Sequence, residues 1–340
     1  MITAEATKTL PPGGTSPVDQ LYGLVAQGMV AADALIHARM KSAVPLIPDL
    51  AKHLIDSGGK RLRPMLTLAA AQMANYRGDA HVKLAAAVEF IHTATLLHDD
   101  VVDVSGLRRG KISANVVWGN KPSVLVGDFL FSRSFQLMVE AGDMAVLNVL
   151  SGASAIIAEG EVLQLKSANN LATTEADYMR VITAKTAALF AAAAEAGAMI
   201  AGGTGEYIAA MRTYGHELGI AFQLIDDALD YSGRQAQMGK SVGDDFREAK
   251  VTLPVILAYE RADDDARTFW LRAIQQTGPQ HDGDLTRAIA LVEKTGALDE
   301  TRRRAQAHAD AACAALQAVP DCEIRDALNA IADFCVGRGY

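Results

Sequence analysis

An all-α fold is predicted for this chain, and three observations carry the prediction. From about residue 17 onward, apolar residues recur at spacings of three and four, the signature of amphipathic helices. No stretch alternates apolar and polar residues cleanly at period two. Aromatics make up only 6% of a chain that is rich in alanine, which favours closely packed helices over stacked sheets.

The elements follow in order. Residues 1–16 lack helical periodicity and are read as a flexible tail, leaving one domain over 17–340. Helices are expected over 17–40 and 46–57, after which the glycine-hinged basic loop "DSGGKRLRP" leads into a helix over 64–76. Pro64, Pro122 and Pro254 suit first turns, where a missing N–H costs little. They open helices over 64–76 and 122–141 and lie early in one over 251–263. A long helix over 80–104 ends in acidic residues, and 144–167, 175–201 and 205–231 are the longest apolar segments that follow. "GRQAQMGKSVGDDFREAK" at 233–250 is a long polar loop, and loops of that length in compact domains often serve as lids. Helices over 265–276, 282–294, 298–317 and 322–337 complete a large helical bundle, with no fixed-period repeat and no linker dividing two domains.

Composition narrows the function classes. Half of the 340 residues are hydrophobic, enough for a sizeable core. A net charge of −8 argues against general affinity for nucleic acid, although a local basic pocket remains compatible with it. Cys313, Cys322 and Cys335 lack metal-ligand spacing and read as core thiols in a reducing compartment. The opening "MITAEATKTLPPGGTSP" fits neither a signal nor a transit peptide, and no window reaches a full span of consecutive apolar residues. The richest, "TAALFAAAAEAGAMIAGG" at 186–203, is broken by Glu195. A cytoplasmic protein without a transmembrane segment is expected.

The polar exceptions inside this apolar pattern carry the chemistry. In "LLHDDVVD", Asp99 and Asp103 stand four residues apart, on one helix face, with Asp100 beside them. The spacing recurs in "DDALD", with Asp226, Asp227 and Asp230 at another helix end. Carboxylates this close repel, and a divalent cation removes the repulsion; Mg2+ takes one or two carboxylates, waters and substrate phosphate oxygens. Two such helix ends facing each other would hold several Mg2+ ions, with Mn2+ as a substitute, and through them a diphosphate. Lys60, Arg61, Arg63, Arg108, Arg109, Lys185, Lys240 and Lys250 suit the same anion, arginine through its planar fork and lysine as a point charge. A solvated acidic helix end would explain either motif alone, but not their repetition among these basic loops.

"GGKRLRP", "DDVVD" followed by "RRG", "AKTA", "FQLIDDALD" and "GDDFREAKVTLP" resemble, in order, the motifs of the trans-isoprenyl diphosphate synthases. The resemblance implies an isoprenoid synthase fold around a central active-site cavity, usually a homodimer. It also implies a prenyltransferase that condenses isopentenyl diphosphate with an allylic diphosphate. Lys60, Arg63, His92 and Arg109 match the isopentenyl diphosphate site of that family. Arg108, Lys185, Thr186, Gln223, Lys240 and Lys250 match positions around the allylic diphosphate. Asp99, Asp100, Asp103, Asp226, Asp227 and Asp230 match metal-bearing positions. Five of these aspartates, Asp99, Asp100, Asp103, Asp226 and Asp227, are expected to act catalytically together with Lys185. Ala249 departs from the pattern, standing where the family often has glycine. His98 matches no ligand position and is read as structural, and Arg61 has only its neighbourhood to recommend it.

The family's short-chain members close the product tunnel with bulky aromatics four or five residues before the first aspartate. Here Thr95 and Ala94 are small, which resembles the synthases that make octaprenyl to decaprenyl diphosphates for quinone side chains. Met138, Phe135 and Leu150 are candidates for a deeper floor, with ordinary core as the competing reading. The rival functions are a farnesyl or geranylgeranyl synthase, a terpene cyclase and a catalytically silent synthase subunit. The small residues oppose the first, the second-substrate basic site the second, and two intact aspartate motifs the third.

Overall fold

The computed structural model describes residues 16–55, 58–232, 242–275 and 280–337. Among them the chain is helical throughout, apart from loops and one hairpin. The helices are α1 (Pro17–Leu24), α2 (Ala26–Arg39), α3 (Leu46–Ile55), α4 (Leu62–Met73), α5 (Ala80–Val102), α6 (Ala114–Trp118), α7 (Asn120–Ala141), α8 (Met144–Ser167) and α9 (Glu175–Ile182). They continue with α10 (Ala188–Ile200), α11 (Gly205–Asp230), α12 (Asp244–Arg247), α13 (Leu253–Glu260), α14 (Asp264–Trp270), α15 (Asp284–Lys294), α16 (Ala297–Ala315) and α17 (Glu323–Gly337). The hairpin pairs β1 (Leu107–Arg108) with β2 (Lys111–Ile112), antiparallel, Leu107 opposite Ile112.

The all-α expectation holds, and four details correct it. The helix expected over 17–40 is two helices meeting at 82°. The Gln72 side chain on α4 donates to the Leu24 carbonyl at 3.1 Å and takes over an acceptor that a continuous helix would use. The helix expected over 175–201 is interrupted by a π turn, Thr183–Ala187, whose extra residue re-aims Lys185 and Thr186. The hairpin, α6 and α12, the last inside the segment expected as a loop over 233–250, fall where no element was expected; each is too short to leave a periodic signal. Finally, Ser16 belongs to the fold and not to the tail, because its hydroxyl and the Asp19 carboxylate form a capping box on α1.

Two apolar clusters form the core. One surrounds α11 and takes in residues of α1, α2, α4, α10 and α13 to α17; the other lies among α3, α5, α7, α8 and α10. Helices α10 and α11 lie so close that a Cβ at Gly215 would stand 2.4 Å from the Phe190 carbonyl oxygen, so only glycine fits there. Two helices meet the length and mean hydropathy of a membrane span, Met144–Ser167 at 1.4 and the continuous Glu175–Ile200 at 1.2. Length and composition alone set this match, because an 18-residue average tolerates charges that break a consecutive apolar run. The second is core, 78% buried, whereas the first is only 33% buried. The three cysteines form no disulfide.

Candidate active site

A cavity of about 780 Å3 opens between the two aspartate-bearing helices. Glu89, His92, Leu96 and Asp99 recur at three and four along α5, share one face, and line it together with Thr95. Phe222, Gln223 and Asp226 line it from α11, and Lys185 and Thr186 from the π turn. The basic loop before α4 and the β hairpin close one end with Lys60, Arg61, Arg63, Arg108 and Arg109. A chamber of about 120 Å3 adjoins it, sharing Lys185, Thr186 and Gln223 and lined further by Asp227, Asp245 and Lys250.

The six aspartates divide by what they touch. Asp99 and Asp226 line the main cavity. Asp100 is fully buried and accepts from Arg108 Nε at 2.8 Å and Nη2 at 2.5 Å. Lys250 Nζ donates to Asp103 at 2.9 Å. Asp227 accepts from Tyr178 Oη at 2.5 Å and Gln223 Nε2 at 2.7 Å. Both Asp230 oxygens accept backbone N–H groups, from Gly243, Asp244 and Asp245, and so pin the chain that returns from the polar loop. Burial is the first cause that pushes the carboxyls of Asp99, Asp230 and Asp245 above their usual range, and it takes Asp227 up to about 7.

The donor set suits Mg2+, which takes few carboxylates and completes its shell with water and phosphate oxygens. Among the described residues no three His, Cys, Asp or Glu side chains already form a closed chelating group. Buried hard-oxygen donors such as Asp100 Oδ2, which lacks a hydrogen-bond partner, and the raised carboxyls mark negative charge that a cation would relieve.

The basic residues fall into two groups. Lys185 in the π turn pairs with Glu161 at 2.7 Å and lies 3.6 Å from Asp99, beside Thr186, whose hydroxyl donates to Gln223 Oε1 at 2.8 Å. A chain of hydrogen bonds thus runs from Thr186 through Gln223 and Asp227 to Tyr178. Burial works against the Lys250 ammonium, yet Asp103, Asp245 and Glu248 outweigh it and raise its pKa. At the other end the Arg63 guanidinium lies 4.2 Å from the Phe190 ring centroid, and burial lowers its pKa to about 10. Arg63 Nη1 donates to His92 Nε2 at 3.2 Å, and burial followed by the neighbouring arginines keeps that imidazole neutral. Lys60 lies 5.1 Å from the Phe334 ring centroid. Lys240 lies outside the described residues.

His98 is structural, as expected: it bridges α5 to the Val124 carbonyl and to Asp128 on α7. Ala249 keeps the left-handed backbone that a glycine would favour, at φ 51°, so the loop geometry survives at the cost of local strain. Of the chain-length candidates, Thr95 lines the cavity, whereas Ala94, Met138 and Leu150 are buried in the second apolar cluster. Phe135 is excluded as a floor. It is 37% exposed on the outer side of α7, one turn from Phe131, against which it packs edge-on.

Residues that sequence reasoning passed over include Glu89, Glu161, Tyr178, Asp245, Phe190 and Phe222. Glu89 left a signal, since it precedes His92 by three residues on the same stripe, and Glu161 is a charge inside an apolar helix. Asp245 stood unassigned inside the quoted motif "GDDFREAKVTLP", whereas Tyr178 reaches the site only through tertiary packing and left none.

The geometry has close counterparts among known proteins. The polyprenyl synthetase family profile matches residues 44–292. The octaprenyl diphosphate synthase of Escherichia coli (strain K12) is 47% identical over 321 residues, covering 94% of this chain and 99% of its own. The crystal structure of a decaprenyl diphosphate synthase from Rhodobacter capsulatus superposes with a TM-score of 0.92 at 56% identity, covering 95% of this chain and 100% of its own. That of a polyprenyl synthase from Caulobacter crescentus CB15, complexed with calcium and isoprenyl diphosphate, does so with a TM-score of 0.91 at 52% identity, covering 97% and 100%. The profile covers most of the chain and these relatives match it almost end to end, so the chain belongs to the polyprenyl synthetase family.

Proposed function

We propose that this prenyltransferase elongates an allylic diphosphate with isopentenyl diphosphate to an all-trans octaprenyl to decaprenyl diphosphate, the tail of a quinone. The observation that carries the reading is one cavity whose lining brings together the carboxylates Asp99 and Asp226, the basic side chains Lys60, Arg63, Arg108, Arg109 and Lys185, and the apolar Leu96, Phe190 and Phe222. Bound Mg2+ would supply electrostatic stabilisation of the departing diphosphate, held by Asp99 and Asp226 with Asp103 and Asp227 behind them. The protein's own share follows from its geometry. Lys185, Arg108 and Lys250 place fixed positive charge where the leaving group develops negative charge. Lys60, Arg63 and Arg109, with His92 bracing Arg63, hold the second diphosphate, so that its double bond faces the allylic carbon. Phe190 and Phe222 keep water from the cation formed when the allylic C–O bond breaks. New C–C bond formation is followed by loss of a proton, for which the released diphosphate is the acceptor.

Chain length follows the small Ala94 and Thr95 and agrees with the octaprenyl and decaprenyl products named for the relatives. Incubating the purified protein with Mg2+, an allylic primer and labelled isopentenyl diphosphate should yield products in that range, and chelating the metal should abolish them. Products no longer than geranylgeranyl would assign it to the short-chain synthases, and absence of turnover would favour a non-catalytic subunit.

We also propose a homodimer joined through α7 and α8. Leu125 and Val139 on α7 and Met144, Val162 and Leu165 on α8 are each at least 60% exposed, large apolar side chains that a partner subunit would cover. Wild-type protein should elute as a dimer by light scattering, and Leu125→Glu combined with Leu165→Glu should release monomer. A monomeric wild type would refute the interface.

A further inference from the structure

The arginine end of the cavity holds a buried carboxylate to which the substrate chemistry assigns no part. Glu89 on α5 is 5% exposed, yet it lines the cavity beside Arg61, Arg63 and Arg109. Its Oε1 lies 3.4 Å from Arg61 Nε, and Arg61 Nη1 in turn reaches Asp33 on α2 at 2.9 Å. After burial, the charge of Glu89 is the largest influence on both Arg63 and Arg109, and it favours their charged forms. The backbone here is held open for this arrangement. Gly58, Gly59 and Arg61 all have positive φ, and a Cβ on Gly59 would stand 2.6 Å from Arg109 Nη1. Three guanidiniums gathered in a partly dry wall repel one another, so an empty site needs an anion to keep them together.

We propose that Glu89 is a positioning residue, a built-in counter-ion that assembles Arg61, Arg63 and Arg109 into a diphosphate cradle before the substrate arrives. The inference rests on the reading of this end as the isopentenyl diphosphate site. Two effects of the carboxylate oppose each other. Its negative charge competes with an incoming diphosphate, but it also holds the donors in place, so that binding need not order them. The second effect wins because these arginines have other reasons to leave. Arg109 is exposed to solvent, and Arg61 is strained in a left-handed conformation.

Glu89→Gln keeps the volume and removes the charge. It should raise KM for isopentenyl diphosphate about tenfold, equivalent to about 1.4 kcal/mol, with KM for the allylic primer changed less than about twofold. Glu89→Asp should recover most of the loss. Should Glu89→Gln fail to fold, Asp33→Asn, outside the cavity, loosens Arg61 alone and should raise the same KM by a smaller factor. Calorimetric binding of inorganic diphosphate with chelator present silences the metal-dependent site and needs no turnover. Glu89→Gln should weaken it about tenfold, which decides the role of Glu89 whatever product the enzyme makes. Unchanged or tighter diphosphate binding in folded Glu89→Gln, or equal rises in both KM values, would overturn the proposal.

Discussion

Alanine at Asp99 or Asp226 is expected to lower turnover about a thousandfold, with melting temperature and helical content unchanged. Both side chains line the cavity, and on the proposed reading their loss removes a stabilisation that operates in the transition state. The other aspartates should behave differently. Asp227→Ala strands the Tyr178 hydroxyl and the Gln223 amide, and Asp230→Ala releases three backbone N–H groups. Leaving buried donors unsatisfied costs about 1–3 kcal/mol each, so these two variants should lose stability as well as activity. Thermal melts beside turnover at saturating Mg2+ separate the two classes. Wild-type turnover in Asp99→Ala would remove the metal assignment at its root.

That division among the aspartates marks where sequence reasoning stopped. Helical spacing placed Asp99 and Asp103 on one face and repeated the pattern at Asp226 and Asp230, because periodicity alone decides which residues share a stripe. Which carboxylate faces the cavity depends on what packs behind it. Tyr178 comes from α9 and the N–H groups that hold Asp230 from within the long polar loop, so helical periodicity encodes neither contact. The fold was legible for a similar reason: long amphipathic helices announce themselves, whereas the π turn at Thr183–Ala187 and the break at Val25 are tertiary events. Arg61 shows the same limit at single-residue scale. Its neighbourhood suggested a phosphate ligand but gave no sign of the Asp33 and Glu89 carboxylates that hold it in place.

Ala94→Tyr is expected to end elongation early, at farnesyl to geranylgeranyl diphosphate, while leaving the first condensation nearly as fast as in wild type. Ala94 and Thr95 precede Asp99 by five and four residues, so at 1.5 Å per residue they lie roughly 6 to 8 Å along α5 from the metal end. Thr95 already lines the cavity wall, with its hydroxyl turned back to the His92 carbonyl at 2.8 Å. On the proposed reading the growing chain passes that level toward the second apolar cluster, where the small side chains Ala94, Ala153, Ala192 and Ala193 of α5, α8 and α10 are the ones that would have to make way for it. A tyrosine ring there blocks that way, and the packed wall yields only at about 1–3 kcal/mol, a cost that each added isoprene unit would raise further. Met138 is 1% exposed in the same cluster, so Met138→Ala deepens the space and should lengthen the product or broaden its distribution. Chromatography of the dephosphorylated products reads both changes against wild type. An active Ala94→Tyr enzyme that still makes the full-length chain would mean that the product leaves the cavity along another wall, past Phe190 and Phe222 and not between α5 and α8.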